Sequence, residues 1–317
     1  MAAAYAQTYG LKNFEFTSSG LMTWENDPRP IDFVSPWAIK IAKQDGIDGM
    51  LWGKKRHKTT NAMLAKQDLI IFANENVYKR ALQRLDFDRR KAIVWNIRDV
   101  QDWEKKWKLG AVQKRARTRR YIKMRIRELV KIMTETSWVD IVSEDNQPLG
   151  YRLPTRLAKR RGLYSRGCHA IITTPNGNIL IQKRSRNIMF APGMIDITMG
   201  GHVDDGETPR AAMKREIVEE TGLKVKMRDM KFLEIYRQHS YHPKYKMWNR
   251  VFNYTYHVQL DTDKPELVWD ENEVEWVKVM SPKKAKQLVK YGSLPKVGRV
   301  VTKTREYYRR IVGLVAK

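Results

Sequence analysis

The sequence predicts a mixed α/β fold of the α+β kind, and three observations predict it. Apolar residues fill 42% of the 317 positions, enough for a sizeable core. From Trp138 onward the chain runs in short β-branched and aromatic stretches broken by turn residues, as strands do. Helical stretches interrupt these strands without regular alternation, which argues against a doubly wound dinucleotide fold. The length allows one large domain or two ordinary ones, and the change in pattern puts a boundary near residue 136.

Residues 1–136 read as a basic, partly helical extension that binds RNA or protein. They hold six of the ten tryptophans (Trp24, Trp37, Trp52, Trp95, Trp103 and Trp107), so this is not a simple polar tail. Residues 26–30 form a turn-rich break and 53–58 a short basic cluster. Residues 76–91 read helical, with Val77, Ala81, Leu82 and Leu85 at helical spacing. The window 104–131 holds twelve Lys or Arg against two acids, Glu104 and Glu128. With Val112, Ala116, Tyr121, Met124, Ile126 and Leu129 among them, one or two basic helices are expected. A charge run is ordinarily a solvated face; so many cations with so few anions point to phosphate contact. The RNA-binding candidates are Lys114, Arg115, Arg117, Arg119, Arg120, Lys123, Arg125 and Arg127.

The remaining elements follow in order. Residues 138–142 alternate as a strand, and 144–147 are a turn. Strands at 167–173 and 178–182 are joined by Pro175-Asn176-Gly177, a hairpin signal. Residues 194–199 lead into the most informative segment, described below. Strands are expected at 232–236, 250–260, 265–269 and 274–279. Ser281-Pro282 places a cap and a first-turn proline ahead of a helix through Leu288. Residues 137–290 thus form the second domain, and 291–317 a basic tail expected to be helical.

The chemistry lies between Gly201 and Leu223. Thr208 is a good N-cap, Pro209 suits the first helical position, and Gly222 supplies a stop. On the helix between them, Glu216, Glu219 and Glu220 stand at i, i+3 and i+4, a spacing that brings three carboxylates to one face. Like charges so placed repel, and a divalent cation relieves the repulsion; hard oxygen ligands select Mg²⁺ or Mn²⁺. Glu207 is placed to orient the cluster, and Arg215, four residues before Glu219, to hold a carboxylate. The Gly200-Gly201 pair lets backbone approach a metal or phosphate closely.

The segment resembles the Nudix signature: Gly, five residues, Glu, seven residues, Arg-Glu, an aliphatic residue, any residue, Glu-Glu, any residue, Gly, an aliphatic residue. Gly201, Glu207, Arg215, Glu216, Ile217, Glu219, Glu220, Gly222 and Leu223 fill its defined positions. The resemblance implies an α/β/α sandwich and hydrolysis of a nucleoside diphosphate linked to another group. It implies Glu216, Glu219 and Glu220 as metal ligands, with the Gly201 carbonyl as an addition, and a Mg²⁺ or Mn²⁺ cofactor. The catalytic base varies in the family: a box glutamate, or a later carboxylate for which Glu273, within Asn272-Glu273-Val274-Glu275, is the first candidate.

Residues 137–290 further resemble the isopentenyl-diphosphate-isomerase-like Nudix branch, through 138–142, 167–184, 192–196 and 272–274. Isomerase chemistry is not expected. Gly200 stands where that enzyme needs a cysteine and Tyr164 where a metal-binding histidine is expected, although His202 matches.

Net charge adds the partner. Lys and Arg number 61 against 35 Asp and Glu, giving +26 and an isoelectric point near 10.0. So strong a balance points to nucleic acid or an anionic membrane surface. No stretch of about 18 apolar residues is present, so no transmembrane segment is expected. The single cysteine, Cys168, makes no internal disulfide and reads as a buried strand residue in a reducing compartment. No signal or transit peptide is visible in the first residues. The favoured expectation is a hydrolase of RNA 5′ ends within a mitochondrial RNA-processing or ribosomal complex, with the cytoplasm as the alternative compartment. Tyr241, Tyr245 and Trp248 are candidate base-stacking residues. Two other expectations stand beside it: a structural Nudix-fold component of a mitochondrial ribosome or other ribonucleoprotein, and a small-nucleotide or nucleotide-sugar diphosphatase.

Overall fold

The computed structural model describes Tyr9 and residues 36–47, 58–97, 111–135, 137–301 and 305–315. The turn at 26–30, most of the basic cluster at 53–58, Trp24, Trp52, Trp103 and Trp107, and the side chains of Trp37, Lys114 and Arg115 lie outside the described residues. The chain divides into two compact units, Met1–Thr136 and Ser137–Lys317.

In the first unit, α1 (Pro36–Gln44) precedes α2 (Asn61–Ala65), whose cap Thr60 accepts from the Met63 amide at 3.2 Å. Strands β1 (Ile70–Phe72) and β2 (Ala92–Val94) pair in parallel, joined through α3 (Glu75–Arg84). Asn74 caps α3 by accepting from the Val77 amide at 2.9 Å. The helix expected over 76–91 stops at Arg84 because Leu85 turns extended and Asp88 caps a separate short turn at Arg89–Lys91. Leu64, Ile70, Phe72 and Ala81 form a small core. The basic window folds as one helix, α4 (Ala111–Glu135). Ile126, Leu129, Ile132 and Met133 are buried on one side of it.

The second unit opens with an antiparallel hairpin, β3 (Trp138–Val142) and β4 (Pro148–Pro154), followed by α5 (Thr155–Arg161). Its main sheet runs β11–β6–β5–β10–β9: β5 (Ser165–Thr173), β6 (Ile179–Arg184), β9 (Met230–His242), β10 (Met247–Gln259) and β11 (Val274–Met280). Short strands β7 (Ile195–Asp196) and β8 (Met199–His202) pair with β6 and β5. Strands β5 and β10 are parallel, while β9 and β11 run antiparallel to their neighbours.

Strand alternation sends side chains to two cores. Cys168, Ala170, Ile172 and Leu180 meet Ala212, Met213 and Ile217 of α6 (Pro209–Thr221). Ile171, Ile179 and Ile181 face the other way, onto α7 (Pro282–Tyr291) and α8 (Arg305–Val315). The result is the expected α/β/α sandwich.

Two expectations are corrected here. Residues 265–269 are not a strand: the Val268 amide donates to the Thr221 carbonyl at 2.9 Å, so the segment straps the end of α6, with Leu267 and Trp269 against the first core. Nor is 291–317 a separate tail. After β12 (Ser293–Leu294) and β13 (Gly298–Arg299), α8 buries Tyr307, Tyr308, Ile311 and Val312 in the second core. Each such side chain contributes about 2 kcal/mol of transfer free energy, so this helix belongs to the domain. The abundant Lys and Arg of the segment concealed its four-residue apolar stripe.

Candidate active site

Helix α6 forms as the sequence dictates. Thr208 accepts from the Ala211 amide at 3.2 Å, Pro209 starts the first turn, and Gly222 closes the helix at φ +74°. A side chain on Gly222 would also meet the Val268 backbone at 3.0 Å, so the glycine permits both the stop and the strap.

The three carboxylates of the helix do not share one environment. Glu216 and Glu220 are buried, whereas the Glu219 side chain is half exposed. Glu220 points into the sheet, where one oxygen accepts from the Gly200 amide at 2.7 Å and the other from Gln182 Nε2 at 3.2 Å. Glu216 lies against Gly201 so closely that a Cβ there would come within 2.3 Å of its carboxylate. Gly201 is therefore required by the approach of Glu216 itself.

Arg215 organises the cluster. Its guanidinium donates to Glu207 at 3.2 and 3.0 Å, to Glu216 at 2.8 Å, to Glu219 at 3.2 Å and to the His202 carbonyl at 3.0 Å. Glu207 also accepts from the Asp204 amide at 3.3 Å, which ties the loop before α6 to the helix. The hydrogen bond from Arg215 holds the Glu207 carboxyl below its ordinary range. Burial instead pushes Glu216 up to about 7, against the pull of Arg215 and with added repulsion from Glu219 and Glu273. Burial pushes Glu220 up to about 8, with Glu216 adding to it.

Among the described residues, no group of three acidic, histidine or cysteine side chains stands assembled as a metal cage. The donor chemistry nevertheless fits a hard divalent cation. Glu216 is a buried carboxylate crowded by the charges of Glu219 and Glu273, and it touches Gly201, whose carbonyl is the candidate fourth oxygen. Glu220, with both oxygens engaged by donors, fits that role less well than Glu216 and Glu219. Glu273 is exposed on the loop before β11, where its own carbonyl accepts from the Ser185 amide at 2.9 Å. Glu275, two residues on, is committed to Lys183 at 2.7 Å, whereas the charge of Glu273 is felt at Glu216.

The positions that departed from the isomerase pattern are filled by packing. A Cβ at Gly200 would lie 2.1 Å from the Cys168 carbonyl, so a cysteine has no room there. Tyr164 is buried with Val142 and Phe252, and its hydroxyl accepts from Arg237 at 2.8 Å. Cys168 is buried and its thiol is pushed up to about 12 by burial, which makes it inert as a nucleophile.

Gln182 escaped the sequence reading. Its signal was a single polar residue ending the apolar run Ile179-Leu180-Ile181, and it is buried so that Nε2 bridges the Thr198 carbonyl and Glu220. The stacking candidates lie on the long β9–β10 hairpin. Trp248 packs edgewise on His239 and against Tyr241, with the Arg250 guanidinium 4.4 Å above its ring. Tyr245 instead meets Phe190.

The RNA-binding candidates in α4 divide in two. Arg119 forms a bidentate pair with Asp45 and Lys123 joins it at 3.0 Å, while Arg125 pairs with Glu128 at 2.7 Å. Arg119 and Lys123 thus fasten α4 to the end of α1, while the Arg125 pair stays within α4. Arg117, Arg120 and Arg127 lie exposed along one side, and Arg127 also covers the Tyr9 ring at 5.0 Å.

Residues 163–297 match the family model of the NUDIX domain. An uncharacterized Nudix hydrolase of Salmonella typhi, YfcD, is 35% identical over 91 residues, covering 29% of this chain and 49% of that protein. One of Nostoc sp. is 29% identical over 136 residues, covering 41% and 73%. The chain spans about half the length of the first of these curated relatives. Among solved structures, a Deinococcus radiodurans protein, DR0079, aligns with a TM-score of 0.41 at 19% identity over 55% of this chain and 98% of that one.

Proposed function

We propose that the NUDIX domain at residues 163–297 is a Mg²⁺-dependent diphosphate hydrolase acting at RNA 5′ ends. The observation that carries the hydrolytic part is the buried Glu216 carboxylate pressed on Gly201 and joined through Arg215 to Glu207 and Glu219. A divalent cation held by Glu216 and Glu219 would supply charge neutralisation for the diphosphate and a more acidic water. The chain's own residues do the rest. Arg215 fixes Glu216 and Glu219 against repulsion, Glu207 holds Arg215, and Glu220 with Gln182 pins the Gly200-Gly201 backbone. Glu273 is the proton acceptor at the open side.

The RNA part is supported by the charge of +26 and by the exposed arginines of α4, for which a free nucleotide has no use. We place the domain among hydrolase members of the isopentenyl-diphosphate-isomerase-like branch, in a mitochondrial RNA-processing or ribosomal particle with protein partners. A structural role in such a particle is favoured by one observation: Arg215 occupies oxygens of both Glu216 and Glu219.

The test is release of phosphate or pyrophosphate from 5′-triphosphorylated RNA and from a nucleotide panel in Mg²⁺. Release from RNA alone supports the proposal, and turnover of the panel alone replaces RNA with a small nucleotide. No turnover, with salt-sensitive RNA binding intact, leaves the structural role.

A further inference from the structure

Beside the box, a second arrangement of charge is left unused by the hydrolytic groups. Lys159, in the last turn of α5, is half-buried with Nζ 4.9 Å from the centre of the Phe190 ring. Among the described residues its ammonium has no hydrogen bond and no carboxylate partner. Arg184, at the end of β6, reaches the same aromatic residue from its backbone side: Nε donates to the Phe190 carbonyl at 3.3 Å. Asp196 answers Arg184 only at 3.6 Å, and its other oxygen is taken by Tyr308 at 2.6 Å and by the Thr198 amide at 3.1 Å. His202, the last residue of β8, feels the charge of Lys159, and its Nδ1 is sealed from solvent without a partner. Phe190 is flanked by His242 and Tyr245, with ring centres 4.8 and 5.4 Å away.

Lys159 and Arg184 both meet Phe190, and Asp196 pairs with Arg184 alone, so the two cations are poorly compensated. Burial, together with the neighbouring Arg184 charge, brings the Lys159 ammonium down to about 8. An anion placed between Lys159 and Arg184 removes that penalty and gains charge-assisted hydrogen bonds. The carboxylates of the box are not that anion, being engaged by Arg215, Gly200 and Gln182.

We propose that Lys159 and Arg184, walled by Phe190, form a metal-independent phosphate subsite beside the box. That its occupant is a phosphate of the substrate rests on the hydrolase reading above. The subsite's existence does not.

The experiment uses the full chain in EDTA, titrated calorimetrically with inorganic pyrophosphate. Lys159→Met is expected to weaken binding about tenfold or more, and Lys159→Arg to restore most of it. Lys226→Met, at an exposed lysine elsewhere, is expected to bind as wild type. A Lys159→Met variant that binds pyrophosphate as tightly as wild type overturns the subsite. In Mg²⁺ with 5′-triphosphorylated RNA, Lys159→Met is expected to raise KM about tenfold with kcat nearly unchanged, which assigns the site to substrate-borne phosphate. Unchanged KM with weakened pyrophosphate binding assigns it to free phosphate instead. If no substrate is turned over but Lys159-dependent binding persists, the hydrolase reading falls and the subsite stands.

Discussion

Helices α4 and α6 both concentrate charge, and they handle it in opposite ways. In α6 the acids Glu216 and Glu219 close on a single internal arginine, Arg215, with Glu207 fixed from the preceding loop. In α4 the cations are spread around a long helix. Some are neutralised by Asp45 and Glu128, and others face water. A built site binds its own charges to one another in a defined geometry. A charged face leaves a fraction uncompensated and available to any polyanion. Only the first depends on each residue; the second depends on how many remain.

The sharpest way to break this contrast is Glu219→Gln, which removes a carboxylate without changing shape. Turnover in Mg²⁺ is expected to fall on the order of 10³-fold, about 4 kcal/mol in the transition state. An active variant measured by steady-state kinetics removes the site from α6.

The next largest effect is on stability against pH. Glu216 and Glu220 are raised in the folded protein, to about 7 and about 8, so they favour the folded state fully below the ordinary carboxylate range. That contribution is lost as pH rises through 7 to 8. The Tm of the metal-free protein is therefore expected to fall between about pH 5 and 8 and level off above, with Mg²⁺ reversing the fall and Glu220→Gln flattening it. A melting curve independent of pH contradicts the burial of these groups as charges.

Within α4, Arg119→Ala is expected to destabilise the first unit by about 1 kcal/mol, since the Asp45 side chain it serves is only 10% exposed. Denaturant unfolding measures it, and the salt slope of RNA binding is expected to change little. Arg120→Gln should do the reverse: unchanged stability, and a slope of log affinity against log salt reduced by about 0.7 to 0.9. Equal behaviour of the two variants erases the division of α4 into fastening and contacting cations.

The box was legible because its residues act locally. Thr208, Pro209 and Gly222 fix the helix ends within the segment, and Arg215 meets partners one, four and eight residues away. What stayed hidden depends on distant strands. That Glu220 turns inward is decided by Gln182 on β6 and the Gly200 amide on β8, and helical spacing alone groups it with Glu219. The pairing of Arg119 with Asp45 spans 74 residues, so the candidates in α4 could not be sorted from their own window. The loop at 265–269 reads as a strand because its apolar residues are real. They pack against a helix end instead of pairing in a ladder.

Helix α8 carries Tyr307, whose hydroxyl meets both His169 at 3.0 Å and Thr255 at 2.9 Å and whose ring stacks on Tyr236. It thereby ties three neighbouring strands, β5, β10 and the edge strand β9, together from one side. During synthesis those strands leave the ribosome long before residue 307 does. The nascent sheet therefore waits with one apolar face incompletely covered until the last helix emerges.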